Sequence, residues 1–276
     1  MQTQNAEERE RQQKEQDERL KNNMGLIKHK ILVMSGKGGV GKTTVAVNLA
    51  LGLALEGFTV GVLDVDIHGP NVAKMFGIED RQLASNGEMI EPIDVFPNVK
   101  AISIALAGYG PDAPIIWRGP LKMGAIKQFL SDVSWQALDY LVIDSPPGTG
   151  DEPLSVCQLI PEMDGAVIVT TPQDVAILDS RKSINFAKQL HIPVLGVIEN
   201  MSTLVCPHCG KEIELFGSGG GERAAEDMQV PFLGRVPLDP EIVRAGDLGK
   251  PFIGGEDNNP TVESVKGIVK KIVPKT

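Results

Sequence analysis

From Lys28 onward, short apolar runs alternate with longer stretches of helical spacing. The apolar runs are nearly continuous in Val, Ile and Leu, which is typical of strands covered on both faces of a sheet. The clearest runs are residues 30–34, 59–63, 99–105, 140–143, 166–170 and 194–198. Helical patterns lie between several of them, at residues 43–56, 121–131 and 175–189. This alternation predicts an α/β fold with a doubly wound, mostly parallel sheet built from βαβ units.

The first 24 residues differ from the rest of the chain. They are rich in Gln, Glu, Lys and Arg and show no apolar periodicity, so we expect residues 1–24 to form a flexible polar tail without a core anchor. No Pro-, Gly- or Ser-rich linker and no internal repeat interrupts the remainder of the chain. Residues 25–276 are therefore predicted to form one domain.

Composition narrows the class of protein. The chain has 276 residues and a formal net charge of −9, and this acidic balance argues against a nucleic-acid-binding surface, which needs an excess of Lys and Arg. No apolar stretch approaches the ~18 residues of a membrane-spanning helix. The three cysteines are too few for a disulfide framework, and their odd number fits a reducing compartment. We expect a soluble cytoplasmic protein with neither nucleic acid nor membrane as a partner.

A glycine-rich loop follows the first predicted strand and precedes a predicted helix. It fits a dinucleotide fingerprint through Gly36, Gly38 and Gly41, and it also fits the P-loop pattern G-x-x-x-x-G-K-[ST]. Lys42 and Thr43 decide for the P-loop, because a P-loop uses the lysine on the β- and γ-phosphates and the hydroxyl on Mg²⁺. The predicted nucleotide loop comprises Gly36, Lys37, Gly38, Gly39, Val40, Gly41, Lys42, Thr43 and Thr44.

Carboxylates follow two other predicted strands, where a P-loop enzyme needs them. Strand alternation predicts that Asp64 and Asp66 point to one side, both beside the phosphate site. Asp144 ends an apolar strand at the Walker B position, from which it would hold Mg²⁺ through water. In the loop after it, Gly148 is expected to present an N–H that is free to approach a γ-phosphate.

The cysteines supply a second chemistry. Cys206 and Cys209 form a C-x-x-C pair, whereas Cys157 is distant in sequence and is expected to lie in a core helix. A structural zinc or a [4Fe–4S] cluster takes four ligands, so one pair is half of a site. Two pairs from two subunits would complete a thiolate set, and the residues alone leave zinc and [4Fe–4S] both open.

The loop Gly-Lys-Gly-Gly-Val-Gly-Lys-Thr-Thr resembles the deviant Walker A loop of the dimerising P-loop ATPases that include MinD, ParA and the nitrogenase iron protein. The resemblance implies that Lys37 acts across a dimer interface. It also implies that Asp66 positions the attacking water and that Asp64 lies near the Mg²⁺ shell. Adenine would be contacted by Asn200 and by the segment containing Pro237 and Asp239.

Five segments occur in a specific order along residues 28–276. After the loop come Asp-Val-Asp-Ile-His-Gly-Pro-Asn, Asp-Ser-Pro-Pro-Gly-Thr-Gly-Asp, Glu-Asn-Met-Ser and Cys-Pro-His-Cys-Gly. This combination is similar to the Mrp/ApbC group of iron–sulfur cluster carrier ATPases. The resemblance implies a homodimer that uses ATP and Mg²⁺, bridges a [4Fe–4S] cluster through Cys206 and Cys209 of each subunit, and delivers it to apo iron–sulfur proteins.

Two alternative functions remain open at this level. A ParA/MinD-type positioning ATPase would need a membrane-targeting helix or a DNA-binding surface. Residues 262–273 show helical apolar spacing, but the stripe lacks aromatic residues, so we expect a terminal helix that packs on the core. The second alternative is a metallochaperone with the same P-loop and a zinc ion between the cysteine pairs.

Overall fold

The computed structural model describes residues 2–85, 89–106, 119–206, 208–250, 252–253 and 259–273. The described strands are β1 (Ile27–Ser35), β2 (Val60–Asp64), β3 (Ile93–Phe96), β4 (Val99–Ser103), β5 (Leu138–Asp144), β6 (Gly165–Thr170), β7 (Val194–Asn200), β8 (Leu204–Val205), β9 (Glu212–Ile213) and β10 (Phe232–Val236). The described helices are α1 (Gln2–Gly25), α2 (Lys42–Leu55), α3 (Val72–Met75), α4 (Gly119–Asp132), α5 (Asp151–Leu159), α6 (Asp174–Gln189), α7 (Gly220–Asp227), α8 (Pro240–Asp247) and α9 (Pro260–Ile272).

Eight strands form the central sheet in the order β10-β7-β6-β1-β5-β2-β4-β3. All neighbouring pairs are parallel except the hairpin of β3 with β4 at one edge. The predicted doubly wound, mostly parallel sheet is thereby confirmed. Strand β1 lies between β5 and β6, so the loop after it opens at the carboxyl end of the sheet, where such folds bind ligands.

Helices cover both faces of the sheet, which explains the continuous apolar runs. Along β1, Ile31 and Val33 face the core that contains α2, α3 and α9, while Leu32 and Met34 face the core that contains α4, α5 and α7. All four side chains are buried. Alternation of polar and apolar residues is absent from such strands because neither face meets water.

The predicted strand at residues 99–105 is too long. Strand β4 ends at Ser103, and residues 104–106 form a 3₁₀ turn in which Ala105 donates its N–H to Ser103 Oγ. Strand β3 has no counterpart among the predicted strands. It is a four-residue edge strand with an exposed Asp94, so its hydrophobic signal is weak.

The expectation that residues 1–24 have no core anchor is wrong. Leu20 and Met24 of α1 are buried in the same core as α4, and the Asn23 amide donates to the carbonyl oxygens of Ser131 and Val133 at 2.8 and 3.1 Å. Among the side chains of this helix that the structure describes, two apolar residues enter the core, which is too few to create a periodicity in a polar segment. The partner surface of the last turns is supplied by residues more than 100 positions away.

The terminal helix α9 packs on the core, as its apolar stripe predicts. Val262, Val265, Ile268 and Val269 are buried beside α2, where Gly52 lets the helices approach closely. A Cβ atom at Gly52 would lie 2.8 Å from Val269 Cγ2. Among the helices that the structure describes, none is long and apolar enough to cross a membrane.

Candidate functional site

The nucleotide loop joins β1 to α2, and its glycines are required by geometry. Gly39 and Gly41 have φ values of +81° and +80°, in the left-handed region that favours glycine. The loop is also enclosed from two sides. A Cβ atom on Gly36 would lie 2.2 Å from the backbone carbon of Asp179, and one on Gly41 would lie 2.2 Å from Asn200 Nδ2.

The first residues of α2 meet the Walker B aspartate. Lys42 is buried, and its Nζ donates to Asp144 Oδ1 at 2.6 Å and lies 3.5 Å from Asp66 Oδ2. Thr43 Oγ1 donates to the other oxygen of Asp144 at 2.7 Å. Residues predicted to hold phosphate and Mg²⁺ are thus gathered around one buried carboxylate. Hydroxyl and carboxylate oxygens are the ligands that Mg²⁺ prefers, so Thr43 and Asp144 fit this ion.

Two carboxylates share this buried region. Burial raises the pKa of Asp144, although the Lys42 ammonium and the Thr43 hydroxyl oppose the shift. Burial and the neighbouring Asp144 charge raise the pKa of Asp64 to about 8. The Asp64 carboxylate accepts from Ser103 Oγ and from the backbone N–H groups of Asp66 and Val72, at 2.8 to 3.2 Å. Asp64 therefore lies behind the loop that carries Asp66, and only Asp66 lines the cleft.

The Asp66 loop is preorganised by its own backbone. Asp66 Oδ1 accepts from the N–H groups of His68 and Gly69 at 3.2 and 3.3 Å. The His68 ring lies 2.9 Å from Glu152, so it connects the Asp66 loop to helix α5, which follows β5 in the chain. This arrangement leaves Asp66 Oδ2 directed toward Lys42.

The expectation that the Gly148 N–H is free is wrong for this structure. Gly148 has a φ of +90°, and its N–H donates to the carbonyl oxygen of Ser35 at 2.7 Å. The bond joins the loop after β5 to the start of the nucleotide loop. Sequence reasoning missed it because the acceptor belongs to another strand end.

A cleft of about 560 Å³ runs from the nucleotide loop to α8, a size suited to a small-molecule ligand. The predicted residues that line it are Gly38, Gly39, Gly41, Lys42, Thr43, Thr44, Asp66, Asn200, Pro237 and Asp239. The predicted nucleotide-site residues outside its lining are Gly36, Lys37, Val40, Asp64, Asp144 and Gly148. Apolar side chains to which the sequence analysis assigned no role also line the cleft, among them Met75, Ile242 and Val243.

Two of the predicted base contacts already have partners in the chain. Asn200 Nδ2 donates to the carbonyl oxygen of Val40 at 2.9 Å, so this side chain is held against the nucleotide loop. The Asp239 carboxylate caps α8 by accepting from Glu241 N, and it also accepts from Asn259 Nδ2 and Thr261 Oγ1. The Asp239 side chain is therefore used to join α8 to α9.

The loop lysine Lys37 is half-buried on the nucleotide loop. Within the described part of the chain, its ammonium group has no hydrogen bond or ion pair. Its carbonyl oxygen accepts from Ser35 Oγ at 2.9 Å, which fixes the backbone at this position.

The two cysteines of the C-x-x-C pair lie on a hairpin formed by β8 and β9. Cys206 is half-buried and Cys209 exposed, and both are free thiols. The backbone N–H groups of His208 and Cys209 and the Cys209 thiol donate to the Cys206 sulfur, which lowers the pKa of Cys206. By contrast, burial raises the pKa of Cys157 to about 12. The described residues contain no group of three or more His, Cys, Asp or Glu side chains that could hold a metal ion.

Glu199 is a polar residue to which sequence reasoning assigned no role. It is fully buried at the end of β7 and accepts hydrogen bonds from both ends of the segment that carries the cysteines. A glutamate at the end of an apolar strand is the signal that could have found it.

Known proteins resemble this chain over nearly its whole length. The iron-sulfur cluster carrier protein of Methanocaldococcus jannaschii is 53% identical over 95% of this chain and 89% of that protein. A nucleotide-binding protein of Archaeoglobus fulgidus, solved in complex with ADP, superimposes with a TM-score of 0.77 at 39% identity, covering 90% of this chain and 95% of that one. The cell division ATPase MinD of Pyrococcus furiosus superimposes with a TM-score of 0.64 over 89% of this chain and 98% of that chain, and at 23% identity it shows the fold alone.

The chain also matches a known family along most of its length. Residues 26–273 match the ParA family described as the NUBPL iron-transfer P-loop NTPase. The resemblance to iron–sulfur cluster carrier ATPases is confirmed by this match. It is also confirmed by relatives that are named iron-sulfur cluster carrier protein and are 53% and 48% identical to this chain. With the nucleotide loop, the Walker B aspartate and the cysteine pair in one fold, the chain belongs to the ParA/NUBPL family of iron-transfer P-loop NTPases.

Proposed function

We propose that this protein is a homodimeric, Mg²⁺-dependent ATPase of the cytoplasm that carries a bridging [4Fe–4S] cluster and transfers it to apo iron–sulfur proteins. The observation that carries the proposal is the pair of free thiols on one hairpin, Cys206 half-buried and Cys209 exposed, where hydrogen bonds to the Cys206 sulfur lower its pKa. The carrier names of the relatives support the same cargo.

Ligand counting supports the dimer. A [4Fe–4S] cluster takes four thiolates, and the hairpin of one chain offers two. Within the described residues no third metal ligand lies beside them. A two-fold axis through the cluster would bring Cys206 and Cys209 of a second copy into position.

ATP would bind in the cleft with its phosphates at the nucleotide loop. The loop N–H groups and the start of α2 would hold the phosphates, and Lys42 would turn from Asp144 to the β- and γ-phosphates. Thr43 would bind Mg²⁺ directly and Asp144 would bind it through water. Mg²⁺ supplies neutralisation of the phosphate charge that develops during hydrolysis.

Asp66 would orient the water that attacks the γ-phosphate. Its carboxylate lines the cleft, and its Oδ1 accepts hydrogen bonds from the backbone N–H groups of His68 and Gly69, which hold the loop in place. Lys37 would neutralise phosphate charge in the partner subunit, since its ammonium group has no partner among the described residues of its own chain. Asn200, beside the nucleotide loop, and the segment of Pro237 and Asp239 would contact the adenine.

Anaerobic reconstitution tests the proposal. The protein is incubated with iron and sulfide, and its absorption spectrum, iron content and oligomeric state are measured. We expect about four irons per dimer and loss of the cluster in Cys206→Ser or Cys209→Ser. Cys157→Ser is the matched control and should retain the full iron content. Tightly bound zinc after anaerobic purification, with no cluster formed on reconstitution, would overturn the proposal in favour of a zinc site.

A further inference from the structure

The segment that carries the cysteines leaves the sheet and returns to it at one carboxylate. The chain leaves β7 after Asn200, forms the cysteine hairpin (residues 204–213) and re-enters the fold at α7. We name Ser202 the outgoing root of this hairpin and Gly219 its returning root. Both roots donate to Glu199 Oε1, Ser202 through its hydroxyl at 2.8 Å and Gly219 through its N–H at 3.1 Å.

The second carboxylate oxygen anchors the helix that comes next in the chain. Gly221 N donates to Glu199 Oε2 at 2.6 Å, within the first turn of α7, and Arg235 Nε lies 3.4 Å from Oε1. The carboxylate is fully buried, so its charge is balanced by these donors rather than by water. The Glu199 carboxylate therefore accepts hydrogen bonds where the cysteine hairpin joins the rest of the fold.

Close contacts and backbone conformation favour glycine at residues 219–221, beside Glu199. A Cβ atom on Gly221 would lie 3.0 Å from Glu199 Cβ, and one on Gly220 would lie 2.5 Å from the carbonyl oxygen of Pro172. Gly219 has a φ of +75°, which favours glycine. Gly221, two residues after the returning root, therefore fits closely against the Glu199 side chain.

The neighbouring residue connects the same strand end to the nucleotide loop. Consecutive residues of a strand point to opposite faces, and Asn200 donates to the carbonyl oxygen of Val40 while Glu199 faces α7. The Asn200 amide also packs tightly on Gly41. One dipeptide thus holds the nucleotide loop on one face of the sheet and both hairpin roots on the other.

We propose that Glu199 is a positioning residue that fixes the cysteine hairpin on the sheet and, through Asn200, couples it to the nucleotide loop. A shift of the loop on nucleotide binding then moves the end of β7, and the rigid carboxylate passes this movement to both roots. The inference rests on the proposed function in taking the hairpin as the cluster-binding element. The hairpin's motion itself can be measured without a cluster.

Hydrogen–deuterium exchange of the full, cluster-free chain tests this coupling. In the parent, Mg²⁺ and ADP should slow exchange in the nucleotide loop and also change it in residues 203–219. In Glu199→Gln, the amide keeps one acceptor and loses the other, so exchange in residues 203–221 should rise about tenfold. The nucleotide loop should still respond to ADP, while residues 203–219 should not.

Glu222→Gln is the matched control, because Glu222 also pairs with Arg235 but does not contact either root. It should behave as the parent does. An ADP response of residues 203–219 that survives Glu199→Gln, or its absence from the parent, would overturn the coupling. If Glu199→Gln fails to fold, Ser202→Ala can be used instead, because it removes one of the hydrogen bonds to Glu199. Unchanged exchange in the hairpin of that variant would contradict the positioning role of Glu199. Failure of the parent to form a cluster would instead contradict the proposed function. It would not affect the exchange measurement, which uses the cluster-free chain.

Discussion

Lys42 Nζ, which lines the cleft, lies 2.6 Å from Asp144 Oδ1 behind it, in a pair that is almost wholly withdrawn from solvent. The lysine and the carboxylate are the groups that the motif assigns to phosphate and to Mg²⁺. Each therefore neutralises the other within this structure, and ligand binding must replace this pair with contacts to phosphate and metal. The nearby Asp66 carboxylate makes an unpaired Asp144 charge still less favourable, because like charges repel in a buried site.

Replacing Lys42 with alanine should therefore have two effects. Loss of the phosphate-binding charge should weaken ADP binding at least about 100-fold, which calorimetric titration would measure. Loss of the buried partner of Asp144 should lower the free energy of unfolding by about 3 kcal/mol in denaturant titrations without ligand. Lys37→Ala is the control, with a change in stability within about 0.5 kcal/mol. Parental ADP affinity in Lys42→Ala would contradict the P-loop assignment.

Asp66→Asn should separate binding from hydrolysis. The asparagine Oδ1 can still accept from the N–H groups of His68 and Gly69, so the loop should keep its shape. Because an amide cannot take a proton from water, hydrolysis should fall at least about 100-fold while ATP binding persists. Phosphate release and nucleotide titration provide the two measurements. Exposed Asp94 supplies the control Asp94→Asn, and turnover at the parental rate in Asp66→Asn would remove the assigned role.

Mixed dimers test whether Lys37 acts on the partner's nucleotide. Lys37→Ala and Asp66→Asn should each be inactive alone. If Lys37 acts in trans, a mixed dimer regains one intact site, because the Lys37→Ala subunit keeps its own Asp66 and receives the lysine of its partner. Equal mixing should then restore about a quarter of the parental ATPase rate. No recovery, with mixed dimers shown to form, would mean that the lysine acts within its own subunit.

The cysteines should differ in their reactivity with pH. Alkylation proceeds through the thiolate, so a lowered pKa moves the onset of reaction to lower pH and a raised pKa moves it to higher pH. Hydrogen bonds to the sulfur lower the pKa of Cys206, whereas burial raises the pKa of Cys157 to about 12. In the cluster-free chain, iodoacetamide should label Cys206 at pH 8 and leave Cys157 unmodified, as read by peptide mass spectrometry. Equal labelling of Cys206 and Cys157 would contradict the expectation that the Cys206 thiol has the lower pKa.

The N-terminal helix should contribute to stability through its last turns. Met24 is fully buried against the core that includes α4, so Met24→Ala should lower the free energy of unfolding by about 3 kcal/mol. The nearby Lys21 is exposed, and Lys21→Ala should change stability by less than about 0.5 kcal/mol. Chemical denaturation of the full chain measures both. Equal stability of Met24→Ala and the parent would show that α1 does not dock in solution.

The local sequence pattern was sufficient to predict the sheet and the nucleotide loop. Strands such as β1 and β6 can be recognised because burial on both faces demands apolar residues at nearly every position. The loop from Gly36 to Thr44 can be recognised as well, since phosphate binding requires particular residues at consecutive positions. The cysteine pair could be found for the same reason, although its spacing alone left zinc and [4Fe–4S] open.

Contacts between segments that are distant in sequence could be identified only from the tertiary structure. The docking of Met24, the bond from Gly148 to Ser35 and the withdrawal of Asp64 from the cleft all depend on groups far apart in sequence. In the sequence, Glu199 is a charged residue at the end of an apolar strand with no evident partner. In the structure, its carboxylate accepts hydrogen bonds from Ser202, Gly219 and Gly221. The fold class and the chemical groups follow from the amino-acid order, because periodicity and short spacing are local properties of a chain. Which polar groups satisfy one another follows only from the folded molecule, because a buried hydrogen bond depends on where the fold brings its partner.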